Sequence, residues 1–290
     1  MVPSLDVVVP DATQQRQIRC MLQTALDEDG PDLTSRGIFS AQESLTATLL
    51  AKDDCRVAGL PLIPLVLELA GGGVVAEYLV EEGADVLPGT RLALLRGSAW
   101  TILAAERVIL NCMCHASGIA TLTRTYVAQL QGTNTTLLDT RKTLPGLRAL
   151  EKYAVRVGGA CNHRMDLHSM LMAKDNHIDR AGSITAAVTA LRRAYDPCPP
   201  MVVECRTVAD VQEAVALGVD RCLLDNMDLD TLRAALACIP PTVQSEVSGG
   251  VTLDTLAAIA SLGPDFVSVG RLTHSAPVAD LSLCIAPTDQ

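Results

Sequence analysis

The chain has 290 residues, 49% hydrophobic and 19% charged, with a formal net charge of −10. That balance suits a folded protein with a full-size core and excludes a disordered chain. The acidic charge and an aromatic content of 2% argue against nucleic acid or an anionic membrane as the main partner.

Residues 11–27 place Ile18, Met21, Leu22 and Leu26 at helical spacing, which predicts an amphipathic helix. The EDGPDLTSRG segment then reads as a break. From about 44 to 98 the pattern turns to strands. SLTATLLAK alternates, and VAGLPLIPLVLELA reads as a turn followed by a helix. AEYLVEEGADVLPGTRLALLRG reads as strand, turn, strand, with Gly83 and Pro88-Gly89 as punctuation. This is a small α+β module with no chemistry of its own.

Residues 99–131 read as one or two long helices whose apolar face is interrupted by Glu106 and Arg107. Such a pair is ordinarily solvated or salt-bridged; the alternative is that Arg107 reaches a site, its own or a partner's. Cys112-x-Cys114-His115 has the wrong spacing for a zinc knuckle. The ten cysteines are scattered through mostly apolar runs and read as reduced, buried small hydrophobes. No basic segment precedes an apolar run at the start. The most apolar stretch, GLPLIPLVLELAGGGVV, is interrupted by two prolines and a glutamate. A cytoplasmic location is the resulting expectation.

After residue 131 a rhythm sets in. TLLDTR, MLMAKDNH, MVVEC, RCLLDN, TVQSEVSGG and FVSVG are short apolar runs, each ending in polar or glycine residues, with helical segments between several of them. Strand–helix repeats of this kind predict a parallel sheet. Six in series suggest a closed β/α barrel rather than an open sheet. A G-x-G-x-x-G turn after the first strand is missing, which weakens a dinucleotide-binding reading.

Barrel active sites lie at the C-terminal ends of the strands. Those ends carry Asp139-Thr140-Arg141-Lys142, Lys174-Asp175-Asn176-His177, Glu204, Asp225-Asn226, Ser248-Gly249-Gly250 and Gly270. The stretch from Asp139 to His177 alone holds seven Lys or Arg against four acids, within a chain of 23 basic and 33 acidic residues. A net +3 stretch inside a net −13 remainder predicts an anion site. Arg141, Lys142, Arg164 and Lys174 are too many cations for one phosphate, so several anionic groups are implied. His163 beside Arg164 is suited to orienting a carboxylate, although a lone His is more often structural. Ser248-Gly249-Gly250 and Ser268-Val269-Gly270 read as a phosphate site built from backbone N–H groups, or as ordinary glycine turns. Glu204 and Asp225 are placed to hold ribose hydroxyls, to ligate Mg²⁺ through the substrate, or to act as general base; the plain alternative is a buried acid paired with Lys174.

The stretch DTRKTLPGLRALEKYAVRVGGACNHRMDLHSMLMAKDNHI, continued by VVEC, LLDNM, EVSGGVTLDTL and SVGRLTHSAPVADLSL, resembles the quinolinate phosphoribosyltransferase family over nearly the whole chain. Two departures are Leu144, where a small polar residue is common, and Arg271, where a small or apolar one is. The resemblance implies an α/β fold: an open or incomplete β/α barrel over residues 116–272. An N-terminal α+β open-faced sandwich domain over 1–115 would be rejoined by the tail 273–290. It implies a homodimer, sometimes assembled further, with shared active sites. The implied reaction converts quinolinate and phosphoribosyl pyrophosphate to nicotinate mononucleotide, pyrophosphate and CO₂, with Mg²⁺, in NAD biosynthesis.

By motif position the resemblance implies that Arg107, given across the dimer, and Arg141, His163 and Arg164 take the quinolinate carboxylates, beside Thr140. Lys142 and Lys174 would face quinolinate or pyrophosphate, and with Glu204 and Asp225 form the catalytic set. Glu204 and Asp225 would hold the ribose and Mg²⁺, the metal mostly through substrate and water. Ser248, Gly249, Gly250, Gly270 and Arg271 would lie at the 5-phosphate. Arg148, Lys152 and Arg156, on the helix between the cation clusters, read as solvent-facing or structural.

Overall fold

The computed structural model describes residues 11–285; residues 1–10 of the expected N-terminal domain and 286–290 of the expected tail lie outside the described residues. The chain forms two compact units. Unit 1 holds the chain up to Arg124, Thr143–Gly159 and the chain from Leu272 on, and unit 2 holds Thr125–Lys142 and Ala160–Arg271.

In unit 1, helix α1 (Ala12–Asp29) begins at Asp11, whose side chain accepts the Thr13 N–H at 2.6 Å, and buries Ile18 and Leu22. The break foreseen after it is shorter than the Gly and Pro signals suggest. Asp32 accepts the Ser35 N–H at 2.9 Å and starts a short helix α2 (Leu33–Ile38), so local capping outweighs the breakers.

An antiparallel sheet follows, in the order β12 (Leu281–Ile285), β1 (Ser44–Ala51), β5 (Arg91–Ser98), β3 (Val74–Tyr78). The alternation read in β1 buries Ala47, Leu49 and Ala51 on one face. Helix α3 (Leu62–Leu69) buries Leu62, Ile63, Val66 and Leu67. A second ladder pairs β2 (Cys55–Arg56) with β4 (Asp85–Val86), strands too short to show a period in sequence.

Residues 99–129 form one helix, α4 (Ala99–Gln129), not two. It buries Ile102, Ala105, Ile109, Met113, Ala116 and Ala120 at helical spacing. It is long and apolar enough to cross a membrane, but 61% of its apolar window is buried inside the protein, as for a core helix. Gly118 lies so close to the returning tail that a Cβ there would sit 1.9 Å from the Pro277 carbonyl oxygen.

Helix α5 (Arg148–Val157) also belongs to unit 1. Its buried polar groups are met there. Glu151 accepts the Leu144 N–H at 3.2 Å and faces His115 Nε2 at 3.0 Å. The Tyr153 hydroxyl donates to Glu82, which also accepts the Gly59 and Leu60 N–H groups. Lys152, read as solvent-facing or structural, is 1% exposed and therefore structural. These bonds explain why 143–159 packs in unit 1, whereas the sequence boundaries put it in the barrel. The boundary foreseen at 115/116 falls inside α4.

Unit 2 is a parallel sheet in the order β6 (Thr136–Leu138), β11 (Phe266–Ser268), β10 (Gln244–Ser248), β9 (Arg221–Asp225), β8 (Met201–Cys205), β7 (Leu171–Ala173). All six runs picked out in the sequence are strands. Helix α6 (Asp175–Ala181) directly follows β7 and has no apolar stripe long enough to be foreseen. Helices α7 (Ile184–Ala194), α8 (Val208–Ala216), α9 (Leu229–Leu236) and α10 (Leu253–Ala260) make the crossovers that parallel pairing requires. Ser183, Thr207 and Asp228 cap three of them. The last short helix is α11 (Arg271–His274).

The barrel is not closed, as the resemblance implied and the strand rhythm did not: β6 and β7 are edges and do not pair with each other. The outer side of β6 is instead met by a single bridge from Cys161, whose N–H donates to the Leu137 carbonyl at 3.0 Å. The ten cysteines are all free, but Cys20, Cys161, Cys198 and Cys284 are exposed rather than buried as expected.

Replacing Gly118 by Ala forces a methyl against the Pro277 carbonyl. The expected result is a loss of about 1–3 kcal/mol of stability, measured by chemical denaturation.

Candidate active site

The strand register of unit 2 sorts the polar strand-end residues onto one face. Arg221 pairs with Gln244, Leu223 with Glu246 and Asp225 with Ser248. Glu204 pairs with Leu223, and Glu246 with Phe266. Side chains alternate along a strand, so Glu204, Arg221, Asp225, Gln244, Glu246 and Ser248 share a face. Two carboxylates, Glu204 and Glu246, stand in one row, two strands or about 10 Å apart at the backbone.

Asp139 follows β6 and is fully buried. Its Oδ1 accepts the His163 N–H at 2.8 Å and its Oδ2 accepts from Asn162 Nδ2 at 2.6 Å. With the Cys161 bridge, these bonds bind residues 161–163 alongside the end of β6. Arg141 and Arg164 are thereby brought near one another. Burial, and then the Arg141 charge, holds the Arg164 guanidinium below its usual range. Arg164 Nη1 donates to the Met170 carbonyl at 3.0 Å, which ties it to the approach to β7. Arg141 Nε is buried without a hydrogen-bond partner. A buried guanidinium donor left unmet is suited to an incoming anion.

His163 sits between Arg164 and Glu246. Its Nδ1 accepts the Arg164 N–H at 2.7 Å, and its Nε2 lies 3.2 Å from Glu246 Oε2. The Nε2 contact is an approach at ion-pair distance without hydrogen-bond geometry. The same Glu246 oxygen accepts from Arg221 Nη1 at 2.8 Å. Burial works to raise the Glu246 carboxyl, but His163 and Arg221 outweigh it and hold it below the usual carboxylate range. Arg221 also donates to Gln244 Oε1 and lies 4.1 Å over the Phe266 ring.

Lys174 Nζ lies 3.7 Å from Glu204 Oε2, and Glu204 Oε1 accepts the Asp175 N–H at 3.3 Å. The paired reading of this acid therefore holds, and does not exclude contact with substrate. On the next strand, Asp225 Oδ2 accepts from Asn226 Nδ2 at 2.7 Å. Asn226 is left-handed, at φ 54°, and its N–H donates to the Ser248 carbonyl at 3.0 Å. Gly249 (φ 91°) and Gly250 (φ 63°) are both left-handed; a Cβ on Gly249 would lie 2.3 Å from Asn226 Oδ1. The glycine is required both by its dihedral angle and by the close approach of the neighbouring strand end.

The Lys142 N–H donates to Thr140 Oγ1 at 3.0 Å, making a tight turn after β6. The Val269 N–H donates to the Leu138 carbonyl at 2.9 Å, which fixes Gly270 next to the end of β6. Arg271 is exposed. Arg107, in unit 1, is 64% exposed and has Glu106 at 4.0 Å. A cavity of about 520 Å³ lies at the opposite strand ends, between Arg233, Pro240, Gln244 and Asp265, and shares none of the predicted site residues.

Among the described residues there is no cluster of three or more metal-ligating side chains. Glu204 and Asp225, on adjacent strands, are a donor pair of the kind Mg²⁺ uses when it keeps most of its waters and is shared with substrate phosphates.

Glu246, Arg221 and Asn162 were not singled out by sequence reasoning, whereas Asn226 was named only as part of a strand end. A signal existed for the first two: alternate polar residues in RCLLD and QSEVS mark one polar face in otherwise buried strands.

Two family models cover the chain. "Quinolinate phosphoribosyl transferase, N-terminal domain" matches residues 32–117, and the C-terminal domain of the same name matches 119–284. A probable carboxylating nicotinate-nucleotide pyrophosphorylase of Synechocystis is 42% identical over 269 residues, 91% of each chain. The carboxylating nicotinate-nucleotide pyrophosphorylase of Mycobacterium leprae is 39% identical, over 91% of this chain and 96% of the relative. A crystal structure of NadC from Streptococcus pyogenes superposes with a TM-score of 0.88 at 38% identity, covering 93% of this chain and 98% of that one.

Asp139→Asn removes one of two charge-assisted acceptors from a fully buried position. The expected cost is about 1–3 kcal/mol of stability by denaturant titration.

Proposed function

Because the chain belongs to the quinolinate phosphoribosyltransferase family, we propose that it transfers the phosphoribosyl group of phosphoribosyl pyrophosphate to quinolinate with loss of CO₂, yielding nicotinate mononucleotide and pyrophosphate for NAD biosynthesis. The observation that carries this reading is the pairing of Arg141 with Arg164 at the end of β6, with an unmet buried donor on Arg141. Two neighbouring cations held on separate anchors suit a dicarboxylate.

In this reading Arg141 and Arg164, with Thr140 and His163 beside them, hold the acceptor's carboxylates. Arg107 joins them from a partner subunit in a homodimer. Lys142 and Lys174 meet the acceptor or the pyrophosphate. The left-handed Gly249-Gly250 turn, Ser248, Gly270 and Arg271 hold the 5-phosphate through backbone N–H groups and charge. Glu204 and Asp225 hold the ribose and would also hold Mg²⁺, which when bound neutralises pyrophosphate charge.

Little covalent work is asked of the chain. Displacement at the anomeric carbon passes through an oxocarbenium-like state, which the fixed carboxylates of Glu204 and Asp225 stabilise. Attachment of ribose makes the ring nitrogen cationic, and CO₂ loss from the adjacent carbon then leaves a stabilised ylide. Positioning and electrostatics suffice, with no protein nucleophile. A cytoplasmic setting accords with the ten free cysteines.

Two experiments test this. Release of CO₂ and pyrophosphate is expected only when quinolinate, phosphoribosyl pyrophosphate and Mg²⁺ are all present, and is expected to stop on EDTA addition. Equal turnover of nicotinate would overturn the acceptor assignment. Arg107→Ala and Arg141→Ala are each expected to be inactive and to regain partial activity when mixed; no recovery among verified mixed dimers would remove the shared site.

A further inference from the structure

We propose that Glu246 is a positioning residue for the acceptor site: it anchors the His163 ring so that His163 in turn fixes the backbone of Arg164. This rests on the reading that Arg164 holds an acceptor carboxylate.

The chain of contacts is continuous within unit 2. Glu246 is fully buried in the middle of β10. A lone carboxylate there would be strongly disfavoured. Arg221, from the start of β9, balances its charge at 2.8 Å, and is itself held by Gln244 and the Phe266 ring. The charge of Glu246 is thus retained in the interior, where it is available to orient a donor. His163 Nε2 lies at ion-pair distance from it, 3.2 Å.

The other ring nitrogen settles the tautomer. Nδ1 lies 2.7 Å from the Arg164 N, and a backbone N–H can only donate. Nδ1 must therefore be the unprotonated nitrogen, and the ring proton is on Nε2, the nitrogen 3.2 Å from Glu246 Oε2. A buried carboxylate next to Nε2 selects that tautomer, as second-shell carboxylates do for metal-bound histidines. Selecting it leaves the Nδ1 lone pair for the Arg164 N–H. Asp139 meanwhile holds the His163 N–H at 2.8 Å. Consecutive backbone N–H groups are thus fixed by two different buried acids, the second acting through an imidazole.

The arrangement separates positioning from binding. Glu246 sits two strands from Glu204, the acid nearest Lys174, with Leu223 between them. Disturbing Glu246 should therefore change the fit of the acceptor more than that of the sugar donor.

The test uses Glu246→Gln in the full chain, which keeps the shape and removes the charge. The expected result is a rise in KM for quinolinate of about tenfold or more, with KM for phosphoribosyl pyrophosphate changed less than about twofold. ¹⁵N-histidine NMR provides a second readout that needs no activity. Wild-type His163 should show a protonated Nε2 and an unprotonated Nδ1 at neutral pH, and Glu246→Gln should lose that single-tautomer signature. An Nδ1-protonated ring in the wild type overturns the proposal even if the variant does not fold. Equal losses for both substrates, or no loss, also overturn it. Arg164→Ala separates the two readings: an unchanged quinolinate KM there removes Arg164 from the acceptor site, while the tautomer result stands or falls independently.

Discussion

Like charges brought together repel, and unit 2 is arranged around that constraint. Arg141 lies near enough to Arg164 for its charge to weigh on it, in partly buried surroundings. Cations left to themselves at such a site would turn outward to solvent. Here the segment bearing Arg164, and Lys174 itself, are met by acids of the sheet. Asp139 clamps the segment bearing Arg164 to the end of β6. Glu246 and Arg221 brace it from β10 and β9. Glu204 faces Lys174 from β8. The cost of gathering positive charge is met by buried carboxylates, each itself hydrogen-bonded, which leaves the cations fixed for an anion to bind.

This explains why the face of the sheet is polar where a barrel interior is ordinarily packed with branched apolar residues. The parallel register gathers Glu204, Arg221, Asp225, Gln244, Glu246 and Ser248 from three neighbouring strands onto one face, while positions on the other face, such as Cys222, Leu224 and Val247, stay buried and apolar. The same strands therefore serve as core on one face and as electrostatic frame on the other. An open barrel suits this arrangement. The place next to β6 that a closing strand would occupy is taken by the Cys161 bridge, which brings His163 and Arg164 to the site.

The strands of unit 2 were legible because each is a short apolar run closed by polar or glycine residues, and the alternation of β1 was equally plain. The cation clusters were legible as a charge imbalance. Openness was legible only through the family resemblance, since strand rhythm counts strands and says nothing of whether the first meets the last. Helix α2 was hidden because its start depends on one Asp–Ser cap beside Gly and Pro. The place of Lys152 was hidden because a charged residue on a helix is usually solvated, and only the packing of α5 shows otherwise. Glu246 was passed over for a similar reason: it sits mid-strand, while attention falls on strand ends. Its pairing with His163, eighty-odd residues away, is a long-range contact that no local pattern encodes.

Helix α5 has one more consequence, which concerns modularity. The chain leaves unit 2 after Lys142, spends Thr143–Gly159 in unit 1, and returns at Ala160. The two arginine-bearing segments of the candidate site are joined through a helix of unit 1, whose buried Glu151 and Tyr153 find His115 and Glu82 within that same unit. A contiguous cut from 125 to 271 would thus carry α5 away from the groups that satisfy it. It would leave a carboxylate and a phenol orphaned in the excised piece and a gap in the remainder. Unit 2 is thus not one contiguous stretch of chain, and any contiguous segment that spans it takes a helix of unit 1 along.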